Sequence, residues 1–299
     1  MSFVGRFAPS PTGRLHLGNL RSALLGWLHM RALGGAFLLR IEDLDRDRCK
    51  PQFTEGIYED LKWLGLDWDG EVLVQSARAS LYDEQLAKLE KAGLAYRCWC
   101  SRAEVARAAS APHVGEEGPI YPGTCRNGGV PKEGREPAWR FRVASGNVSF
   151  TDSLRGTVTQ DVEHEVGDFV IRRADGVASY QLAVVVDDAL CGVTHVLRGD
   201  DLLSSTPRQM LLQRALGFST PEYAHVPLLM QSDGKRLAKR DGASTVAGLR
   251  ALGWSAERVV GQLAAWSGLG DGGPCTAREL INGFSLSRVR REPTVVADA

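Results

Sequence analysis

Apolar positions divide the chain into short runs and longer periodic stretches. Phe3 to Phe7 is a brief apolar run, Pro9-Ser10-Pro11-Thr12-Gly13 reads as a turn, and leucines 17, 20, 24, 25 and 28 recur at helical spacing. That spacing predicts a helix over 17–33, closed by Gly34-Gly35 and followed by a strand from Ala36 to Ile41. Phe53 to Leu64 and Leu81 to Leu94 have amphipathic helical periodicity. Strand, helix and strand with glycines at the corners predict an α/β fold built on a parallel sheet.

The pattern changes after Tyr96. Residues 97 to about 137 are rich in Cys, Gly, Pro and charge, and short alternating strands follow at 139–143, 148–151 and 157–162. Apolar runs return at 169–172 and 181–186, then a helix from about Leu202 to Leu216. This predicts an α/β domain in two halves, 1–96 and 168–242, interrupted by an insert over 97–167. Residues 243–299 read as a short helical region: Ser255 can cap a helix through Leu269, Thr276 to Glu279 has capping-box spacing, and 291–299 look frayed.

Composition narrows the classes. The chain has 299 residues, 43% of them hydrophobic and 24% charged, which fits a globular protein and argues against long disorder. No apolar run approaches the ~18 residues a membrane span needs, and the N-terminus lacks a secretion-signal pattern, so a cytoplasmic protein without membrane attachment is expected. Thirty-six basic residues balance 36 acidic ones, which weakens any case for unspecific nucleic-acid binding. Six cysteines are too few for a disulfide scaffold; Cys98, Cys100 and Cys125 cluster, and the other three are scattered.

Two stretches could handle phosphate. His16-Leu17-Gly18-Asn19 stands at a predicted helix entrance, where unpaired N–H groups and the helix dipole favour anions. Gly18 would let a planar ligand approach the backbone, and His16 and Asn19 can donate to phosphate or ribose oxygens. The loop Gln231 to Gly242 carries Lys235, Arg236, Lys239 and Arg240 and could neutralise charge growing on a polyphosphate. Near Cys98-Trp99-Cys100 and Cys125, three thiolates need a fourth zinc donor; His113 is the ordinary one and Tyr121 the less common.

Arg6 to Gly13, then His16 to Asn19, then Arg40-Ile41-Glu42-Asp43 closely resemble the start of the glutamyl-tRNA synthetases, a class I synthetase family, over residues 1 to about 245. His16 to Asn19 matches the "HIGH" motif with asparagine last, and Arg236 to Arg240 sits where "KMSKS" belongs, with Lys239 kept. The resemblance implies a Rossmann-like class I fold with a zinc-bearing insert, and a catalytic set of His16, Asn19 and Lys239. It implies ATP as substrate, with magnesium, bound by His16, Gly18, Asn19, Arg236 and Lys239. It implies L-glutamate in a pocket of Arg6, Phe7, Ala8, Pro9, Ser10, Glu42, Tyr180 and Arg198. Arg6 can offer a fork to the side-chain carboxylate and Glu42 can take the ammonium. It also favours Tyr121 as the fourth ligand, making one structural zinc held by Cys98, Cys100, Tyr121 and Cys125.

Full synthetases of this family continue into a large helical domain that reads the anticodon, for which residues 243–299 are too short. The chain therefore resembles the shortened family members that transfer glutamate to queuosine in the anticodon of tRNA(Asp). The expected partner is queuosine-bearing tRNA(Asp), and the expected state a monomer. The alternatives are a truncated enzyme charging a tRNA 3′ end and a catalytically silent RNA-binding relative.

Overall fold

The structure is a computed structural model and describes residues 2–108, 119–231 and 245–296. In chain order it runs β1 (Val4–Phe7), α1 (Leu17–Ala32), β2 (Ala36–Ile41), α2 (Pro51–Trp63), β3 (Leu73–Val74), α3 (Ala79–Lys91) and β4 (Ala95–Cys98). Then come α4 (Arg102–Ala108), β5 (Ala138–Phe141), β6 (Val148–Asp152), β7 (Gly156–Gln160), α5 (Val162–Glu165) and β8 (Val170–Arg172). The chain continues through α6 (Tyr180–Leu190), β9 (His195–Gly199), α7 (Ser205–Leu216), β10 (Glu222–Val226) and β11 (Leu229–Met230). It closes with α8 (Val246–Ala251), α9 (Ala256–Trp266) and β12 (Thr294–Val295).

The main sheet has the order β3-β2-β1-β9-β10-β6-β7, parallel throughout except for the β6–β7 hairpin. Strand order reverses between β1 and β9. In open α/β sheets the crevice beyond the strand ends at such a reversal is where ligands bind. Leucines 17, 20, 24, 25 and 28 of α1 are all buried, so this helix has an apolar stripe and almost no wet face. Gly5 permits its close approach to β1, since a Cβ there would lie 2.6 Å from Met30. One core gathers α1, β2, α2 and α9, and a second lies beneath α3, α6 and α7.

Two features differ from the sequence reading, and the apolar run 181–186, which it left without a type, lies inside helix α6, since period alone cannot separate a buried helix from a strand. Thr276 and Glu279 do exchange reciprocal cap bonds, Glu279 N to Thr276 Oγ1 at 3.3 Å and Thr276 N to Glu279 Oε2 at 2.7 Å, yet turns follow and no helix. Residues of the expected insert are shared between two sheets. β6 and β7 extend the main sheet through β10, while β4, β5 and β8 form a separate antiparallel one.

Candidate active site

The reversal brings the ends of β1 and β9 together, and with them Arg6 and Arg198, both buried. Arg6 Nε donates to both carboxylate oxygens of Asp188, at 3.1 and 3.3 Å. No other polar partner of Arg6 is found among the described residues, so both Nη groups remain for a ligand. Arg40, on the neighbouring strand, donates from Nη1 to Asp188 at 2.5 Å and from Nη2 to Glu42 Oε1 at 3.1 Å. Asp187 faces the other way, to Arg78 at 2.7 Å, Gln75 at 2.8 Å and the Tyr82 hydroxyl at 2.9 Å. Arg6, Arg40 and Arg78 thus meet Glu42, Asp187 and Asp188, a charge-balanced set in which each removal leaves an unmatched ion.

Environment separates the two carboxylates that flank Arg6. Burial would raise Asp188, but Arg40 and Arg6 outweigh it and hold the group below the usual range. At Glu42 burial prevails over Arg40 and Arg6, and the carboxyl is raised. An ammonium brought by a ligand would favour its charged form.

Tyr180 opens α6, whose first turn is capped by Ser179 accepting from Leu182 N at 3.4 Å. Its hydroxyl lies 3.4 Å from Arg198 Nη1. The other side of that guanidinium is gripped by the protein: Nη2 donates to Thr206 at 2.9 Å and Gln209 at 2.8 Å, and Nε to His225 Nε2 at 3.0 Å.

His16 is the N-cap of α1. Its Nδ1 accepts from Gly18 N at 3.1 Å and Asn19 N at 3.4 Å, while Asn19 Oδ1 accepts from His16 N at 3.3 Å. The capping box fixes the tautomer, because a neutral ring accepting at Nδ1 carries its proton on Nε2. Gly18 has a more specific reason than ligand approach: a Cβ would sit 3.0 Å from the His16 ring, so glycine makes room for the cap itself.

All eight residues expected for glutamate, Arg6 to Ser10 with Glu42, Tyr180 and Arg198, line one cavity of about 400 Å³ together with His16, Gly18 and Asn19. Ser10, Thr12, Glu42 and Tyr180 also border a second, larger cavity of about 1090 Å³ that reaches Cys100 and Tyr121. Arg236, Lys239 and His113 lie outside the described residues.

The cysteine cluster stands at the far end of the larger cavity. The sulfurs of Cys98, Cys100 and Cys125 lie within 4.8 Å of one another, Cys100 and Cys125 at 3.6 Å. Tetrahedral zinc with ~2.3 Å bonds would space its sulfurs about 3.8 Å apart, so the three thiols fit. The Tyr121 hydroxyl lies 3.4 Å from Cys98 Sγ and also accepts from Cys125 N at 2.7 Å. Burial opposes ionisation of Cys98, but donors from Tyr121 and from Arg140, at 3.3 Å, bring its thiol below the ordinary value.

Sequence reading missed Arg40 as a brace, Asp187 and Asp188, and the set behind Arg198: Thr206, Gln209, His225 and Asp152. One signal was present. Two adjacent aspartates in Val184-Val185-Val186-Asp187-Asp188-Ala189-Leu190 require buried cations, because such a run cannot be solvated.

Residues 2–296 match the family model described as tRNA synthetases class I (E and Q), catalytic domain. A glutamyl-Q tRNA(Asp) synthetase of Symbiobacterium thermophilum is 54% identical, the alignment covering 97% of this chain and 94% of that protein. One of Nocardia farcinica is 48% identical over 99% of this chain and 93% of its own length. Among solved structures, a glutamate tRNA ligase from Elizabethkingia meningosepticum in complex with its amino acid superposes with a TM-score of 0.84. It is 28% identical, and the match covers 99% of this chain and 67% of the ligase.

Proposed function

Since the chain belongs to the class I tRNA synthetases of the glutamate and glutamine type, we propose that it activates L-glutamate with ATP and transfers it to queuosine in the anticodon of tRNA(Asp). The observation that carries the reading is the cavity shared by a guanidinium with open Nη groups, a raised carboxyl and a helix entrance capped by His16. Arg6 takes the side-chain carboxylate of glutamate, Glu42 the ammonium, and Tyr180 and Arg198 close the pocket, with Phe7, Ala8, Pro9 and Ser10 along its wall. The α-carboxylate then attacks the α-phosphorus of ATP, the bond to pyrophosphate breaks, and glutamyl-adenylate forms.

His16 Nε2–H and the side-chain amide of Asn19 face the growing phosphate charge; Arg236 and Lys239, in sequence between β11 and α8, would neutralise it together with magnesium. A queuosine hydroxyl, entering by the larger cavity, attacks the acyl carbon, loses its proton and releases AMP. No side-chain nucleophile is required; the protein orients reactants and stabilises charge. Cys98, Cys100, Tyr121 and Cys125 would hold one zinc, whose role there would be structural, pinning the wall of the acceptor cavity. We place the reaction in the cytoplasm, by a monomer; no helix among the described residues is long and apolar enough to cross a membrane.

The test is incubation with ATP, radiolabelled glutamate and tRNA(Asp) prepared with and without queuosine. Label recovered only in an anticodon fragment of the queuosine-bearing tRNA is the expected result. Label at the 3′ end of tRNA(Glu) would make this a charging enzyme instead. No label and no pyrophosphate exchange would leave an RNA-binding relative.

A further inference from the structure

Behind Arg198 lies a buried polar chain that none of the pocket residues explains. Asp152, the last residue of β6, and His225 of β10 are both buried, joined by a 2.6 Å contact between Asp152 Oδ2 and His225 Nδ1. The other ring nitrogen, Nε2, is 3.0 Å from Arg198 Nε and 3.2 Å from Thr206 Oγ1. Arginine can only donate, so Nε2 must accept, and the single ring proton sits on Nδ1, pointed at the carboxylate. Asp152 Oδ1 meanwhile accepts from Leu154 N and Arg155 N at 2.9 Å and from His225 N at 3.2 Å. That carboxylate is therefore fixed by backbone at the turn of the β6–β7 hairpin.

We infer that Asp152 and His225 form a positioning relay that sets the plane of the Arg198 guanidinium, so that its Nη1 edge, beside Tyr180, meets the amino acid. The inference rests on Arg198 contacting glutamate in the proposed reaction. Every donor on the inner side of that guanidinium is accounted for: Nε by His225, Nη2 by Thr206 and Gln209. A second proton on the ring would set N–H against N–H and cation against cation. The groups facing the imidazole agree with a neutral ring: Asp152 from β6, Arg198 from β9, Thr206 from α7 and the stacked Tyr223 ring at 6.0 Å. Burial pushes His225 down to about 4, against the pull of Asp152 and with the push of Arg198.

Two isosteres separate the halves of the relay. In His225→Asn the amide stands where Nδ1 was, keeping Asp152 and losing the acceptor for Arg198. In His225→Gln the amide reaches the Nε2 position and restores that acceptor. Asp152→Asn presents an N–H to Nδ1 and drives the proton onto Nε2, opposite Arg198, the wrong-tautomer logic of catalytic triads.

Glutamate-dependent ATP–pyrophosphate exchange, run with tRNA(Asp) present, should show the KM for glutamate raised about tenfold or more in His225→Asn and Asp152→Asn. In His225→Gln it should stay within about threefold of the parent, and the KM for ATP should be unchanged in all three. Equal KM values for glutamate in the parent, Asn and Gln proteins, or a loss confined to kcat, would overturn the relay. The ¹⁵N spectrum of histidine in the unaltered protein decides independently of any variant's folding. A neutral Nδ1–H ring at pH 6 is expected, and an Nε2–H or doubly protonated ring would overturn the inference. Absence of exchange in the unaltered protein would instead overturn glutamate activation, leaving the spectrum to judge the relay.

Discussion

Arg6 reaches its brace, Asp188, across 182 positions of sequence, and Arg40 reaches the same carboxylate across 148. Cys98, Cys100, Tyr121 and Cys125 find one another within a single stretch of chain, in a small cluster set apart from both large cores. The Arg6 end of the site is thus held by the sheet as a whole, and each ion there is buried at the expense of its hydration. The thiol end is held over shorter spans, with Arg140 of β5 reaching Cys98 Sγ across 42 positions. Damage to the first should therefore be global, and damage to the second regional.

The largest effect should follow Asp188→Ala, which takes from buried Arg6 its ion-pair partner and from buried Arg40 one of its partners at once. We expect a loss of about 3–5 kcal/mol in denaturant unfolding, together with loss of exchange activity. A change below about 1 kcal/mol would show that the buried ions are not mutually supporting. Acid should come next. His225 falls from its ordinary 6.5 to about 4 on folding, so between those values the unfolded chain takes up a proton that the folded chain refuses. Stability is therefore whole above about pH 6.5 and declines toward pH 4, by about 3 kcal/mol for this group at 1.36 kcal/mol per pKa unit. Unfolding midpoints measured down the pH scale should flatten in His225→Gln. A residual slope should remain from His29, which burial and His195 also push down to about 4.

The smallest global effect should be that of Cys98→Ser. We expect about one zinc per chain to be lost by elemental analysis, unfolding of the main body to shift by less than about 1 kcal/mol, and exchange to persist while transfer to tRNA falls about tenfold. Collapse of exchange along with transfer would show that the two ends of the groove are not separable.

What the sequence disclosed follows the same division. Arg6, His16 to Asn19 and Glu42 stand in local motifs, and Cys98 with Cys100 announces itself by spacing. Asp188, His225 and Asp152 carry no such mark, and Arg40, though inside a motif, gave no sign of its role as a brace, because their meaning depends on which strands become neighbours. β10 was hidden for a related reason: Glu222–Val226 has no alternation, since a central parallel strand is covered on both faces. The Thr276–Glu279 box shows the converse error, a correct local bond pattern without the buried face that would have carried it into a helix. Gly18 was noticed for the right position, yet its constraint comes from the His16 ring.

The pairing of β1 with β9 also has a history in time. Gly5 lies opposite His195, so the strand made first must wait for one made about 190 residues later. At a ribosomal rate of ~5–20 residues per second, that wait is roughly 10–40 s. Throughout it, α1 has only β1 and β2 to lie on, and the apolar flank that later meets β9 stays uncovered, so the growing chain carries exposed apolar surface until the sheet is completed.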